Sequence, residues 1–196
     1  MSSADARELN WQFVLPDEPA GLLLLSREEA HLYRRLADRR GPATTAGVVV
    51  PDLSVWASRW SGRGALRDAA QAVAPGGWLC VGFPNRLYPG ATAARGAMAL
   101  HTAKATLRAA GLAPRTVYLS LPDHRHPAVL VDARLRGQLD YVFQHQFLTY
   151  VPGSSARVRL ARRGLVAVRR IALVMPQWLR VACAPGYCVL AWRPRD

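Results

Sequence analysis

The stretch Ala65–Asn85 constrains the fold more than any other part of the sequence. Apolar residues recur at helical spacing over Ala65–Ala74, which predicts an amphipathic helix. Pro75-Gly76-Gly77 should end that helix, because proline disfavours helix in the preceding residue and glycine readily adopts the left-handed conformation. The apolar run Trp78–Phe83 that follows is typical of a strand buried on both faces. A helix, a turn and a buried strand in this order predict an open α/β sheet.

Length and composition favour a single domain over residues 1–196, with a lead-in at 1–20 and an insertion at 123–185. Hydrophobic residues make up 51% of the 196 residues, enough for a substantial core. No apolar run reaches the length of about 18 residues that suggests a membrane span. The polar N-terminus lacks the apolar core of a signal peptide, so the sequence predicts a cytoplasmic protein.

The chain is strongly basic, with a formal net charge of +13. Lys104 is the only lysine among the 26 basic residues. This bias, together with abundant alanine, favours a bacterial genome rich in G and C over an arginine-specific function. The excess charge still favours anionic partners. The three cysteines do not follow a metal-binding spacing and are predicted to be reduced, buried thiols.

Further strands and helices are predicted by apolar runs and by capping residues along the chain. Ser26 is a good helix cap, followed by acidic residues that the helix dipole favours in the first turn. The predicted strands are Gly21–Ser26, Gly47–Asp52, Thr116–Ser120 and Tyr187–Trp192, and the predicted helices are Ser26–Arg39 and His101–Ala110.

The segment Val73–Val81 resembles the L-x-P-G-G-x-L-x-V element before the fifth strand of class I S-adenosylmethionine (SAM)-dependent methyltransferases. Leu107–Leu112 is similar to the family's next helix end, and Tyr187–Trp192 to its C-terminal antiparallel strand. The resemblance covers about Gly47–Leu121 and 186–193. It implies a Rossmann-like α/β sheet of the methyltransferase type, shortened, with a helical C-terminal insertion before the last strand.

The cofactor-binding half of that family pattern is reduced in this sequence. Where the family has a glycine-rich turn after its first strand, Leu24–Glu29 contains no glycine. Val48–Val50 is either the second strand, with Asp52 as the ribose-binding acid, or the fourth strand, with half of the site missing. The short distance to the next helix favours the fourth strand, and the alternative for Asp52 is a turn residue after Pro51.

The resemblance therefore implies weak or lost SAM binding. If SAM binds, it should contact Ser26, Asp52 and Asn85, which follow predicted strands at their carboxyl ends.

A polar cluster between Leu121 and Pro127 supplies the candidate catalytic residues. Asp123, His124 and His126 could form an acid–base pair, since histidine titrates near neutral pH. The alternative is a proline-bounded surface loop. The cluster lacks the distant carboxylate or cysteine that would suggest a metal site, so no metal is predicted.

The segment 156–180 is rich in arginine, contains no acidic residue and interleaves apolar positions. A basic amphipathic segment of this kind can lie on a membrane surface or bind an anionic partner. The alternative is a solvated arginine face above a buried apolar stripe.

Three functions are compatible with these features. The first is a degenerate methyltransferase-like protein that acts as a partner subunit or as a repurposed small-molecule protein of specialised metabolism. The second is an active small-molecule methyltransferase. The third is an anion-binding or membrane-surface protein that uses the arginines of 157–170. An uncharged edge strand at Leu22–Leu25 further predicts a homodimer or a heteromer, and no specific nucleic acid is expected.

Overall fold

A mixed sheet of six strands forms the centre of the described part of the chain. The computed structural model describes residues 14–16, 22–24, 45–56, 62–88, 96–124, 127–146 and 156–195. The strands follow one another in the sheet in the order β1-β2-β3-β6-β4-β5. Their bounds are β1 Leu22–Leu24, β2 Thr45–Val50, β3 Val73–Pro84, β4 Ala113–Leu121, β5 Val129–Asp132 and β6 Gly186–Trp192.

Strand directions identify the architecture. β1, β2 and β3 are parallel to one another. β6 is antiparallel to both β3 and β4, so β4 has the same direction as β3. An antiparallel last strand is what the resemblance of Tyr187–Trp192 to class I methyltransferases predicts. The chain therefore has a Rossmann-like α/β fold of the class I methyltransferase type.

The position of β2 decides between the two interpretations of Val48–Val50. β2 lies between β1 and the strand that carries Pro75-Gly76-Gly77, which is the place of the family's fourth strand. Among the described strands, β1 lies at one end of the sheet, as expected if the family's second and third strands are missing.

Helices cover one face of the sheet and form the larger hydrophobic core with it. The core includes Leu66 and Ala69 of α2, Leu107 of α3, and Val81 and Phe83 of β3, all at most 1% exposed. The helices are α1 Leu53–Trp56, α2 Gly62–Gln71, α3 Leu100–Ala109, α4 Arg136–Tyr141, α5 Ala156–Val174 and α6 Gln177–Ala182. α3 and β6 match the predicted elements within one residue.

The boundary between α2 and β3 differs from the predicted one. The helix ends at Gln71, and Val73 already pairs with Thr45 of β2. Pro75-Gly76-Gly77 lies inside β3, where the register between β2 and β3 shifts. Gly76 does adopt a positive φ of 76°, as predicted, but it does so in a strand irregularity and not at a helix end. The pairing of Val73 with Thr45 therefore ends the helix at Gln71, before the chain reaches Pro75.

The insertion before the last strand begins with β5, which the sequence did not predict. β5 pairs with β4 along the edge of the sheet, and the chain is helical from Arg136 to Gln146, with a π-helical turn at Val142–Gln146. α5 and α6 complete the insertion. Arg180 is 5% exposed, and its guanidinium donates to the carbonyls of Leu173 and Met175 and to the Asp140 carboxylate.

The second face of the sheet carries a smaller hydrophobic cluster that includes Trp78, Cys80 and Cys188. Val14 and Leu15 of the predicted lead-in pack against this cluster. Cys80 and Cys188 are buried free thiols, as predicted, whereas Cys183 is exposed and corrects that prediction. Among the described residues, no helix combines the length and apolar character that crossing a bilayer requires.

Candidate functional site

Polar side chains follow three strands, β2, β3 and β4, at the same edge of the sheet. Asp52 comes two residues after β2, Asn85 comes directly after β3, and His124 comes three residues after β4. Because β2, β3 and β4 run in one direction, their carboxyl ends meet at this edge. Ligands of open α/β sheets bind outside such carboxyl ends, so this edge is the candidate site.

Asp52 and His124 contact each other directly. Nε2 of His124 lies 3.1 Å from Oδ1 of Asp52, and the two side chains are only 10% and 17% exposed. The same Oδ1 accepts a hydrogen bond of 2.8 Å from the backbone N–H of Ser54, in the first turn of α1. Asp52 therefore caps α1 and holds His124 with the same oxygen.

The environment of Asp52 keeps its carboxylate ionised. Burial acts to raise the pKa, but the hydrogen bonds from His124 and Ser54 and the charge of His124 outweigh it and lower the pKa to about 2. An ionised carboxylate only accepts hydrogen bonds, so Nε2 of His124 carries the proton between them. In the neutral ring the lone pair then lies on Nδ1, which makes Nδ1 the nitrogen that can accept a proton.

Two glycines in neighbouring strands give the pair room above the second face of the sheet. A Cβ on Gly82 of β3 would lie 2.1 Å from the carbonyl oxygen of Pro51. A Cβ on Gly186 of β6 would lie 2.6 Å from Cβ of His124. Pro51 and His124 therefore pass directly over the sheet, Pro51 above Gly82 of β3 and His124 above Gly186 of β6.

Asn85 is fully buried, and its amide is bonded to the protein backbone. Nδ2 donates hydrogen bonds of 2.7 Å to the carbonyls of Ala182 and Ala184, and Oδ1 accepts one of 3.0 Å from the N–H of Leu87. These bonds tie the end of β3 to the segment that leads into β6. A role for Asn85 as a cofactor contact stays a prediction, and a contact through its Nδ2 would require the bonds to Ala182 and Ala184 to break.

The other predicted site residues are less completely described. Asp123 precedes His124 and is partly exposed, and its catalytic role stays a prediction. Ser26 and His126 lie outside the described residues. The structure thus brings together one predicted cofactor residue, Asp52, and one predicted catalytic residue, His124.

A cleft beside the pair includes residues that the sequence did not connect with it. His124 and Ser120 line this cleft together with Cys80 and Cys188, whose sulfurs lie 3.3 Å apart. The hydrogen bond between the two sulfurs raises the pKa of Cys80 most, and burial and the charge of Cys188 raise it further. The Cys80 thiol is therefore held in the neutral form. The sequence signal for the approach of His124 to these strands is a glycine in each of them, Gly82 in β3 and Gly186 in β6. A glycine in a strand indicates a close approach of another chain segment.

Comparisons at the level of sequence find no relatives. No protein-family model matches the chain, and no curated protein matches its sequence.

Comparison with solved structures finds SAM-dependent methyltransferases and a cyclase. A possible histamine N-methyltransferase from Thermotoga maritima is 12% identical, with 95% of this chain and 87% of that chain covered and a TM-score of 0.47. A SAM-dependent methyltransferase from Archaeoglobus fulgidus is 11% identical, with 95% and 94% covered and a TM-score of 0.47. The [4+2]-cyclase SpnF is 14% identical, with 92% and 77% covered and a TM-score of 0.42. The methyltransferase-like fold itself follows from the strand order and directions described above.

Proposed function

We propose that this chain is a degenerate SAM-dependent methyltransferase-like protein with weak or lost SAM binding. It acts as a binding subunit for another protein, or holds a small molecule of specialised metabolism in a repurposed site. The observation that carries this proposal is the contact between Asp52 and His124. It bridges the carboxyl ends of β2 and β4, where ligands of such sheets bind.

The polar groups at this edge support the loss of tight cofactor binding, because they already have protein partners. Asp52 is bonded to His124 and to the N–H of Ser54, and the Asn85 amide is bonded to three backbone groups. A cofactor that displaced the partners of Asp52 Oδ1 or of the Asn85 N–H groups would break buried hydrogen bonds, at a cost of about 1–3 kcal/mol for each group left unpaired. The existing bonds of the described candidates therefore favour weak SAM binding over tight binding.

Thermal unfolding with and without SAM tests the proposal. A cofactor with a Kd of about 1 μM, added at about 1 mM, would stabilise the protein by about 4 kcal/mol. For a chain of this size that corresponds to a rise in Tm of roughly 8–16 °C. We expect a rise of less than about 2 °C, which corresponds to a Kd of about 1 mM or weaker. A rise in the higher range would contradict the proposal.

An active small-molecule methyltransferase is the second candidate, and the tautomer of His124 favours it. With Asp52 holding Nε2–H, the ring could accept a proton from a bound acceptor at Nδ1, as a general base. SAM binding separates the two candidates. If SAM binds tightly, His124→Gln should slow methyl transfer while the affinity for SAM stays unchanged. If SAM does not bind, this candidate is excluded.

A further inference from the structure

Exposed apolar side chains form a strip along α5. Ala167, Ile171 and Val174 are spaced by four and three residues, which places them on one side of the helix. All three are exposed, Ile171 by 57% and Val174 by 83%. Ala172, on another side of the helix, is only 7% exposed and packs into the protein. The apolar positions of this segment are therefore divided between the interior and the surface.

Arginine borders this strip. Arg163 and Arg170 are exposed and seven residues apart, so they lie two turns from each other on the same flank of the strip. The sequence contains no acidic residue between Asp140 and Asp196. The apolar strip and its arginines therefore have no carboxylate beside them from residues 141–195.

We infer that α5 docks onto an anionic lipid surface. Ala167, Ile171 and Val174 enter the boundary between headgroups and acyl chains, and Arg163 and Arg170 contact the headgroup phosphates and carboxylates. A helix with an apolar strip and a basic flank binds in the plane of the interface through both effects. Each arginine near an anionic surface contributes about 1 kcal/mol.

The arrangement of charge favours a lipid surface over other partners. A second copy of the helix would bring arginines close to arginines, which is unfavourable. A nucleic acid would attract the arginines but would not bury Ile171 and Val174 in an apolar phase. Trp178, in the first turn of α6, is 69% exposed, and tryptophan is favoured at membrane interfaces.

Sedimentation of the full chain with lipid vesicles tests this inference. Vesicles of phosphatidylcholine with about one third phosphatidylserine are compared with pure phosphatidylcholine, at low and at high salt. We expect the protein to sediment with the anionic vesicles only, and less at high salt. Two double variants separate the apolar contribution to binding from the charge contribution. The first combines Ile171→Ser with Val174→Ser, and the second combines Arg163→Gln with Arg170→Gln.

Each double variant should weaken binding to the anionic vesicles. Loss of two arginines should lower the partition coefficient by about 25-fold, at about fivefold for each charge. Loss of the two apolar side chains should lower it by roughly tenfold or more, since each buried methylene contributes about 0.8 kcal/mol. The matched control is Leu135→Ser with Arg67→Gln, which changes an exposed leucine and an exposed arginine on other helices and loops. It should bind like the wild type.

Several outcomes would overturn the inference. Equal binding to neutral and anionic vesicles would remove the role of charge, and no binding to either would remove the lipid surface altogether. An unchanged partition of the apolar double variant would show that the strip does not insert. Binding of duplex DNA, or a dimer that only the apolar variant disrupts, in the absence of vesicle binding would assign α5 to a different partner. None of these outcomes depends on whether the protein binds SAM.

Discussion

His124 and Asp52 are joined by a side-chain contact of 3.1 Å although 72 positions separate them in the chain. The contact links the loop after β4 to the loop after β2, across β3 and β6, which lie between them in the sheet. Since both side chains are mostly buried, their interaction belongs to the interior and not to the solvated surface. Its loss should therefore have a measurable effect on stability, unlike that of most surface ion pairs.

The lowered pKa of Asp52 predicts a pH-dependent contribution to stability. The folded-state pKa of about 2 lies below the ordinary value of 3.8, so the contribution is fully present above about pH 4 and is lost as the pH falls toward 2. The difference corresponds to about 2 kcal/mol. Asp52→Asn should lower the free energy of unfolding by up to this amount near neutral pH, while its amide oxygen can still cap α1.

Urea unfolding of the wild type and of Asp52→Asn over this pH range checks the prediction. The stability difference between the two proteins should shrink as the pH falls below about 4, because the wild type loses the contribution that the variant lacks. A difference that stays constant with pH would show that the ionised carboxylate is not the source of the stabilisation.

Gly82→Ala should be strongly destabilising, because the new Cβ would lie 2.1 Å from the backbone oxygen of Pro51. Relief requires the chain before Asp52 to move away from β3, so the loss should reach about 3 kcal/mol or more. Gly137→Ala is the matched control, since nothing lies within 4 Å of a Cβ at that helical position. It should leave stability unchanged or raise it by up to about 1 kcal/mol. Equal thermal stability of the two variants would contradict the close approach at Gly82.

Asn85→Ala should destabilise the fold by about 2–4 kcal/mol, because it leaves the carbonyls of Ala182 and Ala184 and the N–H of Leu87 without their side-chain partner. Urea unfolding measures this loss. Gln138→Ala, at an exposed helical position, should change stability by less than about 0.5 kcal/mol. An Asn85→Ala protein as stable as the wild type would argue against the structural role and favour a role in ligand binding.

Association through β1 is expected because β1 ends the sheet among the described strands. An edge of leucines without charge is a ready surface for a second chain, and a symmetric dimer is the commonest solution. Light scattering should give a dimer for the wild type and a folded monomer for Leu23→Lys, while Leu135→Lys, at an exposed position, should stay dimeric. A wild type that is monomeric at high micromolar concentration would contradict this prediction.

The sequence predicted the central strands and α3 well, because their periodicity and capping are local signals. It placed the end of α2 too late, since the pairing of Val73 with Thr45 is a long-range contact that a local proline rule does not include. It also missed β5, a four-residue strand whose only described sheet partner is β4. A strand this short has too few residues for its alternation to stand out.

The site was predicted in parts and not as a unit. Asp52 and His124 were assigned to different roles, as a cofactor contact and as a catalytic residue. Their contact depends on the path of two loops over the sheet, and that path depends on the missing side chains of Gly82 and Gly186. Glycine inside a strand indicates a close approach but does not say which segment approaches.

Calorimetric titration of the folded wild-type protein with SAM tests the central proposal most directly. Because Asp52 is bonded to His124 and the Asn85 amide is bonded to backbone groups, the titration should give no saturable heat in the micromolar range. A saturating isotherm with a Kd of about 1 μM, corresponding to about −8 kcal/mol, would contradict the loss of tight SAM binding.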